Sequence, residues 1–458
     1  MGEIVSSKNR IVLMLFAVLS IVLGVFLFTA YEDPYYRNIY ILPLSFGIYL
    51  IFLYRSLPRL FGYLVFWIIL FQQIIRYFFL PALFPFSDFH AGRYTQNADY
   101  AVGMFAFELL VVFIVLKNIP AKKIDYSAFK VKTLRINFKS FSILLFMLGF
   151  LAVNTSFIQK LSFVWDLSKY LELKNKGDLD AISPLASITF PIIRMFIFIF
   201  IFSCIQRFKI KNKFKVFYSF VLLLLNASIV VGVSRFSIVF ASLPLLLIIV
   251  NQYPRYRKNI LIISAVGFSI VMSIISFSKF AESEISSDGL SGFLSLSQLN
   301  AYFGGLINYS IGIDSYFSNN LSMGDRVKYL TSDIFQNIPL LSSFADENFK
   351  TLYKFNAEIY GVFGSRDQIV PISISGLFHW SFLSFFIYTV LITFLAFRFE
   401  SIASMEKRIV LYCLYFTLAF SCSLLMMINL GSLSATLFMS LVIFIPLFKF
   451  LYRIKFLQ

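Results

Sequence analysis

The chain has 458 residues, of which 59% are apolar and only 14% charged, with a mean hydropathy of +0.81. A soluble globular domain carries nearer a quarter of charged residues, so an ordinary soluble protein is excluded. The formal net charge is +17, but the basic residues are sorted by the gaps between apolar runs, so the charge reflects orientation in a membrane and needs no nucleic-acid partner.

Apolar stretches of bilayer-crossing length fall at 11–30, 38–54, 60–84, 98–116, 141–158, 184–206, 216–234, 236–251, 259–278, 375–397, 409–427 and 431–448. They predict an all-α polytopic membrane protein of about twelve transmembrane helices, built as a single bundle over 1–458. The gaps on the side of the two termini hold 25 of the 40 basic residues and four acidic ones, a net of about +21. The opposite gaps hold 13 basic and 18 acidic residues, about −5. By the positive-inside rule both termini are cytoplasmic. A bacterial inner or cytoplasmic membrane is the predicted location.

The first run follows Lys8 and Arg10 as a signal sequence would. It continues for about 20 apolar residues and meets Glu32 and Asp33 with no small-x-small cleavage site, so it reads as a retained helix. In the third run Arg76 lies about eight residues below the outer end, and Glu108 lies about ten residues below the outer start of the fourth. At 1.5 Å per residue both are roughly 12 to 15 Å deep. A Lys-rich cytoplasmic stretch, 117–140, suits contact with anionic headgroups. The smaller outer loop 159–183 is balanced in sign. Its Asp178-Leu179-Asp180 has the spacing of a metal-chelating pair, but two acids in a polar loop are common, and no metal is assigned.

Arg194 lies about ten residues below the outer end of the sixth run, and Arg235 marks the outer turn between the seventh and eighth. A broken or re-entrant arrangement stays open there, because the turn is short. Charges inside a span cost at least about 2.5 to 3.5 kcal/mol each and persist where a partner or ligand exists. Two readings follow. Either Arg76 pairs with Glu108 and the other arginines snorkel to the interface, or Arg76, Arg194 and Arg235, with Lys279, line a positive vestibule. Such a vestibule suits a phosphate ligand, because guanidinium is a planar fork matched to phosphate oxygens.

Between the ninth and tenth helices, residues 279–374 form a large extracytoplasmic loop, far longer than a simple connection. Its segments 294–319 and 322–336 are apolar enough for short helices lying on the membrane surface. His90 and His379 are the two histidines. His379 follows Ser375-Gly376-Leu377-Phe378 where the loop returns to the membrane, and it is the leading general base, with Glu358, Asp367, Asp346 and Glu347 as competing carboxylates. The equally simple reading is an interfacial His beside a belt Trp. Cys204, Cys413 and Cys422 fall inside predicted spans and read as small core residues. No internal repeat is visible, and no P-loop, dinucleotide glycine motif, HExxH or Gly-x-Ser-x-Gly occurs.

Five local patterns in this order resemble the bacterial oligosaccharide repeat-unit (O-antigen or capsular polysaccharide) polymerases. They are Ile75-Arg76-Tyr77-Phe78-Phe79-Leu80-Pro81; Phe107-Glu108; Gly232-Val233-Ser234-Arg235; Tyr302-Phe303-Gly304-Gly305-Leu306-Ile307-Asn308; and Asp367-Gln368-Ile369-Val370-Pro371, leading to Phe378 and His379. The resemblance spans most of the chain, including helix count and the place of the large loop. It implies a substrate joined through diphosphate to a polyprenol. The growing glycan passes with inversion to the non-reducing-end hydroxyl of a second lipid-linked unit, without a metal or other cofactor. Its partners are membrane lipid, a flippase and a chain-length regulator. On that reading Arg76, Arg194, Arg235 and Arg366 bind the diphosphate and Glu108 orients Arg76. His379, or else Asp367, is the base, and the sugars meet Tyr302, Asn308 and Tyr360. A repeat-unit flippase and an O-antigen ligase are the rival readings. Flippases have short connections and two related halves, neither of which is visible here, whereas a ligase shares the lipid donor and the large loop. An acyltransferase built around an intramembrane His is disfavoured, because His379 stands at the head of its span and His90 in an outer gap.

Overall fold

A computed structural model describes residues 2–32, 36–54, 57–86, 97–120, 132–154, 161–163, 184–231, 235–280, 296–339, 341–360, 369–454 and 457. Helices dominate: α1 (Gly2–Ala30), α2 (Ile41–Tyr54), α3 (Leu64–Phe86), α4 (Ala98–Asn118) and α5 (Phe138–Val153) come first. A three-residue strand, β1 (Leu161–Phe163), precedes α6 (Pro184–Arg207) and α7 (Asn212–Ser228). A second strand, β2 (Ile229–Val231), is followed by α8 (Arg235–Gln252) and α9 (Arg257–Phe280). Then come α10 (Leu296–Phe303), α11 (Leu306–Phe317), α12 (Met323–Phe335), α13 (Thr351–Tyr360), α14 (Ile372–His379), α15 (Ile387–Ala403), α16 (Ile409–Ser423) and α17 (Leu430–Arg453).

Among the described residues, five stretches are long and apolar enough to cross a bilayer: Arg10–Ala30, Leu64–Phe86, Ala98–Asn118, Thr189–Arg207 and Leu430–Arg453. Ile41–Tyr54, Phe138–Val153, Ser242–Gln252 and Ile409–Ser423 are apolar but shorter. The chain is therefore helical and compatible with a multi-pass membrane protein. Contacts divide it into two compact units, one comprising Met1–Ile124, Leu290–Glu400 and Ala419–Ala435, the other Asp125–Gly289, Ser401–Leu418 and Thr436–Gln458.

In the first unit the aromatic core runs from Phe46, stacked on Tyr77 at 6.0 Å, to Phe105, 4.7 Å beyond Tyr77. The start of α3 lacks an N-cap side chain of its own. Glu400 supplies one from α15, accepting from the Leu64 and Val65 amides at 2.6 and 2.9 Å, so a buried carboxylate sits at the positive end of a helix. In the second unit Phe196 of α6 stacks on Phe448 of α17 at 6.0 Å. Asn251 donates to Tyr412 at 3.3 Å.

Three sequence expectations are corrected. The predicted span 375–397 is two helices, α14 and α15, separated by turns at residues 380–386. Gly376 makes this fold-back possible, because a Cβ there would lie 2.2 Å from the Phe385 carbonyl oxygen. The predicted span 216–234 ends at Ser228, where the β-branched Ile229-Val230-Val231 leaves the helix to pair antiparallel with Leu161–Phe163. Finally, α11 does not show the one-sided burial of a surface-lying helix. Residues 306–313 are buried without interruption, as is Ser315.

Candidate functional site

Two buried polar clusters lie in the first unit. The first begins with a local deformation of α3. Pro81 cannot donate to the Tyr77 carbonyl and its ring crowds that oxygen. Ahead of it, residues Ile75–Phe79 widen into a π-turn, closed by the Leu80 amide donating to Ile75. Such bulges re-aim side chains and recur at functional sites.

The π-turn carries Arg76, which is 1% exposed. Its Nη1 lies 2.9 Å from Oε2 of Glu108, itself 2% exposed. Nη1 approaches that oxygen without hydrogen-bond alignment, and Nε has no hydrogen-bond partner among the described residues. Nη2 donates to the Gly304 carbonyl at 3.1 Å, and the guanidinium carbon lies 4.2 Å from the centroid of the Phe105 ring.

Glu108 is the hub. It accepts from Tyr309 Oη at 2.5 Å, Ser373 Oγ at 2.6 Å and Thr389 Oγ1 at 3.3 Å. It sits about 15 Å along α4 from Ala98, close to the helix midpoint. Tyr309 of α11 and Ser373 of α14 therefore reach the level of that midpoint, which places both short helices beside the spans. Gly304, with φ +50°, is in the left-handed region, and a Cβ on it would meet the Met426 carbonyl at 2.9 Å. A side chain there would disturb the turn that aims its own carbonyl at Arg76.

The second cluster centres on His379, 3% exposed, at the end of α14. Nε2 is 2.9 Å from Asp333 Oδ2 on α12, and Nδ1 is 2.9 Å from the Tyr388 hydroxyl on α15. A carboxylate only accepts, so Nε2 is the nitrogen that donates toward Asp333, and in the neutral ring Nδ1 is the one that accepts from Tyr388. The other oxygen of Asp333 accepts from the Thr351 amide at 3.0 Å. Arg326, half-buried on the same helix as Asp333, donates to the carbonyls of Leu377 and Phe378 at 3.2 and 3.5 Å and to Tyr316 Oη at 2.9 Å. The guanidinium thus rests on the carbonyl end of α14, where positive charge is favoured.

The remaining residues singled out in the sequence fall elsewhere. Arg194 belongs to the second unit, 6% exposed, with Nη1 donating to the Ile229 carbonyl at 2.6 Å. Among the described residues no carboxylate lies within ion-pair distance of it. Asn308 is buried, accepting from Asn300 at 2.7 Å and donating to the Ile369 carbonyl at 3.0 Å. Tyr302 is half-buried. Arg235 opens α8 and Tyr360 closes α13, but both side chains lie outside the described residues, as do Arg366, Asp367, His90, Asp178 and Asp180. Glu358, Asp346 and Glu347 are exposed. Among the described residues no group of three His, Cys, Asp or Glu side chains could hold a metal ion, and the three cysteines are free.

Asp333 and Arg326 went unassigned in the sequence because Asp333 stands 46 residues from His379 and Arg326 51 from Leu377. The one local signal is the capping box Ser322/Asp325, which fixes where α12 begins and hence which face Asp333 shares with Tyr329. No family model, curated protein or solved structure matches this chain.

Proposed function

We infer that this chain polymerises oligosaccharide repeat units carried on a polyprenyl diphosphate, at the outer face of the bacterial cytoplasmic membrane, through twelve spans with both ends inside. The observation that carries an enzymatic reading over a transport reading is the His379–Asp333 pair, because a histidine with its tautomer held by a buried carboxylate is built as a proton acceptor. In the productive state an acceptor hydroxyl takes the place of Tyr388 at Nδ1. The hydroxyl gives its proton to that nitrogen while its oxygen bonds to the anomeric carbon of the donor glycan. The bond from that carbon to the diphosphate breaks, with inversion, and polyprenyl diphosphate leaves.

Arg76 is already neutralised by Glu108 in a sealed setting, so its role in this mechanism is to hold α11 and α14 against the spans. The charge of the departing diphosphate is assigned to Arg366, in the connection leading into α14. Arg194 and Arg235 are assigned to positioning of the same diphosphate. The two units are each assembled from three separated stretches of chain, which does not suggest the two sequential halves common in transporters.

Deletion of the gene in its host, followed by gel separation of surface glycans, tests the assignment. A single repeat unit capping the surface lipid supports polymerisation. Loss of all surface glycan indicates a flippase instead, and long polymer stranded on the carrier lipid a ligase.

A further inference from the structure

In the second unit the connection from α6 to α7, with the first turn of α7, and the connection from α8 to α9 line an open cavity of about 470 Å³. Its wall includes Lys211, Lys213 and Arg255, together with Asn212, Gln252 and Tyr253. Neither connection contains an acidic residue anywhere in 207–216 or 251–260. The three cations are exposed, and among the described residues none of them has a carboxylate partner. Two neighbouring basic residues are already engaged: Arg207 donates to the carbonyls of Ile136 and Leu134 at 3.2 and 3.3 Å, and Lys215 to that of Gln206 at 2.7 Å.

Two further features converge on the same cavity. The start of α7 has no side-chain cap at Lys211 and no acid in its first turn, so its leading amides present unsatisfied donors and the positive end of the helix. The flanks are apolar and outward-facing, with Phe208 60%, Phe214 46% and Phe217 59% exposed. This pairing of cations with bare aromatic groups occurs where the bilayer-length stretch Thr189–Arg207 ends, which is the composition of a membrane interface. Soluble anions would need the cations but not the aromatic flanks.

We propose that this cavity is a binding site for the phosphate headgroup of an anionic phospholipid, with the headgroup between Lys211, Lys213, Arg255 and the α7 amides and the acyl chains along Phe208 and Phe214. Basic pockets between membrane helices on the positive face recognise such headgroups. The site is independent of the proposed glycan chemistry.

Native mass spectrometry of the full-length protein, titrated with phosphatidylglycerol or phosphatidylcholine, tests it. The wild type is expected to bind phosphatidylglycerol at least tenfold more tightly. The variant Lys211→Gln/Lys213→Gln/Arg255→Gln loses that preference, while the charge-matched variant Lys209→Gln/Arg257→Gln/Lys258→Gln keeps it. Lys211→Gln alone weakens it at an unchanged melting temperature. Equal losses in the two triple variants, no preference in the wild type, or saturable binding of inorganic phosphate as tight as that of the lipid would each overturn the proposal.

Discussion

The two units treat buried charge in opposite ways. In the first, Arg76 meets Glu108 at 2.9 Å and His379 meets Asp333 at 2.9 Å, each pair buried and tied to neighbouring helices through hydroxyls or amides. In the second, Arg194 is almost as buried but rests on a backbone carbonyl, and the cations of the α6–α7 connection face outward. Opposite charges in the first unit serve as internal joints, because a buried carboxylate that accepts from three side chains fixes where those side chains stand. A lone guanidinium against a carbonyl ties down one strand and leaves most of its desolvation cost uncompensated.

The contrast can be broken most forcefully at Glu108. Glu108→Ala leaves Arg76 buried without its counter-charge and should cost about 3 to 5 kcal/mol, read as a fall in melting temperature of the purified protein or in its abundance in membranes. The double change Arg76→Leu/Glu108→Leu should lose less than Glu108→Ala alone, because it removes both charges; a larger loss would mean the pair is not the joint described. Next in size is Gly376→Ala, where the added methyl meets the Phe385 carbonyl and the α14–α15 fold-back must shift, at roughly 1 to 3 kcal/mol by the same measurement.

Ser322→Ala removes the cap of α12 and should cost about 1 kcal/mol. The hydrogen bonds from Ser322 hold the Asp325 carboxyl below the ordinary aspartate range. Its share of the capping box is therefore fully present above the usual value of 3.8 and disappears as the pH falls through the lower folded value. A thermal unfolding series from neutral to acid pH should show this share in the wild type and a smaller one in Ser322→Ala, which loses the hydroxyl but keeps the Ser322 amide donating to Asp325. The smallest effect is expected at Arg194. Arg194→Leu should stay within about 1 kcal/mol of wild type, because the lost bond to Ile229 is offset by the removed desolvation cost. A loss as large as that of Glu108→Ala would erase the distinction between the units.

Part of this arrangement was legible in the sequence. Arg76 and Glu108 stand at matching depths in consecutive apolar runs, and helical rise alone brings them level. The ends of α4 and α6 follow the hydropathy pattern to within two residues, since composition decides where an apolar helix stops, whereas α17 runs five residues past its predicted end. The break within 375–397 was not legible, because 380–386 holds no Pro or Gly, and its cause, the bare Cα of Gly376, acts across a tertiary contact. The burial of α11 was hidden for a similar reason. Tyr309, Ser310 and Asn308 look like the polar face of a surface helix until their partners Glu108, Tyr36 and Ile369 are brought to them. His379 drew notice as a lone base, but its partner Asp333 could be found only by folding 46 intervening residues.

The most direct test of the glycan-polymerising assignment is the length of lipid-linked product made by the full-length protein in proteoliposomes supplied with polyprenyl-diphosphate-linked repeat units. The wild type is predicted to extend them into a ladder of polymers, and His379→Ala, still folded in the membrane although less heat-stable because Asp333 loses its partner, to leave the single unit untouched. A wild type that makes no polymer, or a His379→Ala variant that makes the same ladder, would contradict the account.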